Sequence, residues 1–132
     1  MLGHLDPPEL ALPGDELRPA LVAILTNLER RFADTRTGRI WRRLVGEADN
    51  YPEVIALYER HFLVPRRRAI AELLRHHVRT GELRADLDSD AAVEILIGSM
   101  LGAVFALGES VAAPSAEAIV DLLLDGMRPP VT

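Results

Sequence analysis

The sequence predicts an all-α fold, one bundle of six helices, and two observations carry that prediction. Apolar residues recur at spacings of three and four along most of the chain, and no window shows the alternation of period two that a half-buried strand requires. Proline, glycine and capping residues then cut this pattern into helix-sized lengths. The 132 residues, 48% apolar and 27% charged, suit a single domain with its own core, and no internal repeat is present.

Residues 1–14 hold Pro7, Pro8, Pro13 and Gly14 and are expected to form an extended lead-in; residues 15–128 form the domain. The first helix is expected over Asp15 to Ala33, because Leu17, Leu21, Ile24, Leu25, Leu28 and Phe32 fall on one stripe. A polar break at Asp34 to Gly38 precedes a short second helix with Ile40, Trp41, Leu44, Val45 and Ala48, anchored by Trp41. The third starts at Pro52, where a residue without an N–H is tolerated, and runs through Val54, Ile55, Tyr58, Phe62 and Leu63. Pro65 removes a backbone hydrogen bond, so a kink or break is expected before a fourth helix over Pro65 to Thr80. Gly81 supplies the left-handed residue that ends it. Asp88 is a plausible N-cap for a fifth helix, Ser89 to Leu107, which Gly108 ends. Pro114 and Ser115 signal the start of the sixth, Ala118 to Met127, which Pro129 and Pro130 stop.

The last two helices are apolar on more than one side. From Ile95 to Gly108 there is no charged residue, and a helix packed on one face alone keeps a charged opposite face. Gly98, Ser99, Gly102 and Ala106 leave little bulk, so a second helix can come close. Ile119, Val120, Leu122, Leu123 and Leu124 wrap most of the sixth helix. A two-fold, four-helix seam in a homodimer would bury this excess, with Ile95, Gly98, Ser99, Gly102, Ala106, Ile119, Leu122, Leu123 and Met127 as its expected residues.

Composition excludes several function classes. A net charge of −5 does not provide the basic excess that phosphate backbones require, so direct nucleic-acid contact is not expected. All 15 basic residues are arginine, a bias attributed to base composition. Cysteine is absent, the start lacks a charged segment leading into an apolar run, and apolar stretches fall short of the ~20 residues of a membrane span. A cytoplasmic location is therefore expected, with no membrane association. No Ser-His-Asp order, phosphate-cradling glycine loop or nucleotide fingerprint points to an enzyme or a cofactor. Glu72 and His76 are four apart on one helix face, but without a second such pair solvated charge pairing is the expected role, and no metal site is predicted. Arg66, Arg67 and Arg68 are read as a solvated face beside the kink, with attraction of an acidic ligand or partner as the alternative.

Particular residues also resemble the C-terminal half of regulators of the tetracycline-repressor family. They are the Gly81-Glu82-Leu83 turn, the acidic Asp86-Leu87-Asp88, the long glycine-containing helix after it, and a Val-Asp-x-Leu-Leu-x-Gly tail at Val120 to Gly126. The lead-in LPGDELRPALVAIL and the Tyr51-Pro52-Glu53 helix start are similar to that family as well. Tyr58 to Phe62 looks like the Tyr-x-His-Phe that closes the family's DNA-reading unit, but the turn and recognition helix before it are missing, and the match is read as coincidence. The resemblance implies a bundle that dimerises through its last two helices and encloses a small, mostly apolar effector. It also implies that the N-terminal helix-turn-helix domain is absent from this chain, so that operator DNA is reached only through that missing half. Expected pocket residues are Phe32, Trp41, Tyr58, Phe62, Met100 and Phe105, with His61 or His77 as polar contacts. A ligand-free module that dimerises with itself or with longer relatives remains the alternative.

Overall fold

The computed structural model describes residues 12–33, 35–47, 49–106 and 115–131, without the side chains of 32, 33, 35, 37 and 103–106. Every regular element among them is helical, and α1 (Leu17–Ala33) lies at the centre. A turn precedes it: the Asp15 carboxylate accepts from the Leu12 N–H at 2.8 Å, and the Asp15 N–H donates to the Leu12 carbonyl at 3.0 Å. Leu17, Ala20, Leu21, Ile24, Leu25 and Leu28 are buried at the predicted spacing of three and four. Each of the large ones contributes about 1.5–3 kcal/mol of transfer free energy.

The second helix, α2 (Thr35–Gly46), begins earlier than the sequence pattern indicates. The polar stretch expected as a break is helical from Thr35, since Arg36 and Arg39 are good helix formers that need no apolar partner. Trp41 is buried in this helix, while Ile40 and Val45 remain exposed.

The expected break at Pro65 does not occur. α3 (Pro52–Tyr58) runs through a π-helical turn, Glu59–Leu63, into α4 (Val64–Arg79), with right-handed helical dihedrals at every junction. The Val64 N–H reaches back five residues to the Glu59 carbonyl. Proline cannot donate, and its ring crowds the carbonyl four residues before it; widening the preceding turn accommodates both without interrupting the rod. The predicted third and fourth helices are thus one element, leaving five among the described residues instead of six.

Gly81, at φ 86, ends α4 as predicted, and the chain then folds back so that Leu83 donates to the His77 carbonyl at 3.0 Å and seats its side chain in the core. Asp88 caps α5 (Ser89–Ala106) through its carboxylate and the Ala91 N–H at 3.0 Å. Ser115 caps α6 (Ala116–Met127) through its hydroxyl and the Ala118 N–H at 3.1 Å. Gly108 and Pro114, read as the stop and start signals between these helices, lie outside the described residues, as does most of the lead-in. α1 packs on α2, α4, α5 and α6; α5 also packs on α4 and α6.

Candidate functional site

The rod formed by α3, the π turn and α4 carries the residues that matter most. Tyr58 closes α3 and Phe62 lies in the π turn; Tyr58 meets Trp41 from α2 on one side and Phe62 on the other. The Trp41 and Tyr58 ring centroids are 4.0 Å apart and tilted by 33°; those of Tyr58 and Phe62 are 4.8 Å apart and tilted by 34°. Offset, tilted pairs of this kind are favourable for aromatic rings beyond the area they bury. Phe62 and Trp41 are buried and Tyr58 is half-buried. Three of the predicted pocket residues therefore form one continuous stack.

The remaining predictions divide. Met100 is buried on α5 in the same core. The side chains of Phe32 and Phe105 lie outside the described residues. His61 is exposed. His77 sits fifteen positions beyond Phe62, about 22 Å along the rod at ~1.5 Å per residue, and does not join the stack. Instead it ties the start of the domain to the turn after α4: Nε2 is 2.9 Å from the Asp15 carbonyl, and Nδ1 is 2.7 Å from the Glu82 carboxylate.

The arginine run corrects the solvated reading. Arg68 is exposed and half-buried Arg67 pairs with Glu94 at 3.0 Å, but Arg66 is only 2% exposed. Its guanidinium lies 3.7 Å from the Phe62 ring centroid and donates to the Phe62 carbonyl at 2.9 Å. A second cation, Arg31 at the end of α1, stands 4.9 Å from the same ring. Burial, reinforced by the like charge of Arg31 and opposed by Tyr58, lowers Arg66 to about 10, so it is still protonated at neutral pH. Burial likewise pushes the Tyr58 phenol up to about 12, against the opposing pull of Arg31 and Arg66. A signal for Arg66 existed in the sequence: it falls four after Phe62 and four before Ile70, on the stripe that continues through Leu73 and His77 and is buried throughout. Two arginines on one aromatic ring, beside two further rings, can hold a flat apolar body and a negative charge together.

The outer surface has its own geometry. On α5, Ala92, Val93, Leu96, Ile97 and Met100 face the core, while Ala91, Ile95, Gly98 and Gly102 face out. A Cβ added at Gly98 or Gly102 would meet nothing within 4 Å among the described residues. Ile95 is 52% exposed and Leu122, on the adjoining α6, is 75% exposed. Ser99 and Leu123 are half-buried. Ile119 and Met127, assigned to the seam from the sequence, are instead covered by their own chain, because the inward stripe of α6 is Ala116, Ile119, Val120, Leu124 and Met127. The Ala106 side chain lies outside the described residues.

Two open grooves are also described. One, of about 300 Å³, runs between α4 and α5 past Arg67, Arg68, Glu72, Arg75, Asp90 and Glu94; the other, of about 430 Å³, follows Arg18, Val22, Thr26 and Arg30 on α1. Neither is lined by a residue of the aromatic stack. No described helix is long and apolar enough to cross a membrane.

Comparison with known proteins agrees with this architecture. The tetracyclin repressor-like C-terminal domain family matches residues 13–123. An uncharacterised HTH-type transcriptional regulator of Bacillus subtilis (strain 168), YdeS, is 29% identical over 91 residues, 69% of this chain and 46% of that protein. The chain thus spans about half the length of that curated relative. The crystal structure of the TetR family transcription regulator SCO0332 is similar with a TM-score of 0.72 at 30% identity, over 92% of this chain and 66% of that one.

Proposed function

The chain belongs to the family of tetracycline repressor-like C-terminal domains, and on that premise we propose that it is the effector-sensing and dimerisation domain of a transcriptional regulator. The effector is a small, mostly apolar molecule held among the helices, and its occupancy biases the arrangement of two protomers and of the DNA-binding domains they carry. Differential affinity of the effector for two such arrangements is the physical requirement for that coupling. The observation that carries the reading is the stack of Trp41, Tyr58 and Phe62, which joins α2 to the π turn of the central rod. π turns of this kind recur at functional sites, where they re-aim side chains without breaking a helix. The seam is the outward face of α5 and α6, centred on Ile95, Gly98, Gly102 and Leu122.

A thermal-shift screen of apolar small molecules, read alongside Trp41 emission, tests the reading. A stabilising compound that also changes Trp41 emission is the expected result. A chain that is monomeric at micromolar concentration and unmoved by every compound would contradict it.

A second reading, a dimerising module without an effector, draws on the two described grooves, which are open, charged or shallow, and remote in composition from the stack. Under that reading the aromatic stack is ordinary core, and compounds leave Trp41 emission unchanged while the dimer persists.

A further inference from the structure

The interior of this acidic protein contains a positive charge with no counter-ion among the described residues. Acidic residues outnumber basic ones by 20 to 15, and ion pairs are plentiful on the surface: Arg18 with Asp121, Arg67 with Glu94, Arg75 with Asp90, Arg84 with Asp86. Arg66, more buried than any of these, has no carboxylate partner among the described residues. One of its five N–H donors is met by the Phe62 carbonyl, and Arg31, the charge that acts on it across the helices, has the same sign. Arginine cannot escape by deprotonating at neutral pH, and a buried, unpaired charge is costly to fold around. Cation–π contact with Phe62 offsets part of that cost, but a ring quadrupole is a weak substitute for an anion.

We propose that the aromatic site takes an organic monoanion, a carboxylate carried on an aromatic or long apolar body. Arg66 engages the carboxylate through its planar fork, Arg31 is the second cation, and the body lies against Trp41, Tyr58 and Phe62. The planar, bidentate match favours a carboxylate. A dianionic phosphate would have to shed a tighter hydration shell against aromatic walls with only two cations to replace it. The inference rests on the effector-sensing reading and narrows it to a ligand class.

The chain itself, titrated with sodium benzoate, sodium 4-phenylbutyrate and sodium decanoate and with the matching primary amides, provides the test. Trp41 is the single tryptophan and stacks directly on Tyr58, so its emission reports occupancy of this site. At least one carboxylate is expected to bind at least about ten-fold more tightly than its amide, the size of a lost charge-assisted hydrogen bond. Arg66→Met should abolish that preference, and Arg31→Gln should reduce it by a smaller factor. Should Arg66→Met fail to fold by circular dichroism, the half-buried Arg31→Gln and the wild-type carboxylate-to-amide ratio still decide the matter. Amides binding as tightly as carboxylates overturn the anion inference and leave the effector reading standing. The same follows if a neutral apolar compound perturbs Trp41 and no carboxylate does. If neither class binds, both fall.

Discussion

The two ends of this domain break the ordinary rules of protein surfaces in opposite ways. Around the π turn a full positive charge is buried where apolar groups belong, and on the outward face of α5 and α6 large apolar groups stand where charge belongs. Neither departure reflects a weak core: Leu21, Leu25, Leu28, Ile70, Leu73, Leu74, Leu96 and Leu124 are all fully enclosed. The contrast motivates both proposals: an anion would complete the buried cation, and another helix would complete the exposed small-residue helix face.

The largest effect is expected at the outer face. Replacing Ile95 and Leu122 together by Glu puts two like charges on each side of the seam, and the dimer should weaken by more than about a hundred-fold, as for loss of central interface anchors. Sedimentation measures this, and unchanged circular dichroism would show that the protomer itself is intact. Gly98→Leu sharpens the same point, since a Cβ at this exposed position meets none of the described residues within 4 Å, and the bulk beyond it would obstruct an approaching helix. A dimer untouched by Gly98→Leu places the seam elsewhere.

The inner site should respond in the opposite direction. Arg66→Met removes a charge that the unliganded fold must enclose, so the variant's unfolding free energy should rise by about 1–3 kcal/mol, as when buried ions give way to apolar residues of similar volume. Chemical denaturation would show it; a clear loss of stability would mean that the contacts with Phe62 outweigh the cost of burial.

Tyr58 offers a smaller test. Its folded pKa is raised, so the stability it contributes as a neutral phenol is complete below its ordinary value near 10 and is lost as pH climbs through about 12. In a Tyr51→Phe background, phenolate absorbance should report a midpoint near 12. At the lower limit stands Arg18→Ala. Its two hydrogen bonds to Asp121, at 2.7 and 3.1 Å, join α1 to α6 in open solvent, where screening leaves little net effect, and the melting temperature should scarcely move.

Local chemistry was readable from the sequence wherever it is decided locally. Pro52 starting a helix, Asp88 as an N-cap and Gly81 as a left-handed stop depend on a residue and its near neighbours, and each is found where the pattern puts it; Ser115, expected only as a start signal, caps a helix that begins two residues before the predicted Ala118. Pro65 is different, because a helix can answer a missing donor by breaking or by widening, and tertiary packing of Phe62 and Leu63 chooses between them. Arg66 was hidden by its own charge: two exposed or half-exposed arginines follow it, and only its place on the apolar stripe marks it out. The sequence shows that α6 is apolar nearly all round, but not which residues turn inward, so Ile119 and Met127 were assigned to the wrong side. Tyr58 and Phe62 are four apart on one helical rod, but the contact of Trp41 with Tyr58 joins separate segments, and no local spacing encodes it.

Sedimentation velocity of the unmodified chain across micromolar concentrations tests the central claim most directly, because the proposed sensing role requires a pair of protomers. A single species at twice the protomer mass is the predicted result. A monomer throughout that range, with Ile95 and Leu122 left in water, would contradict it.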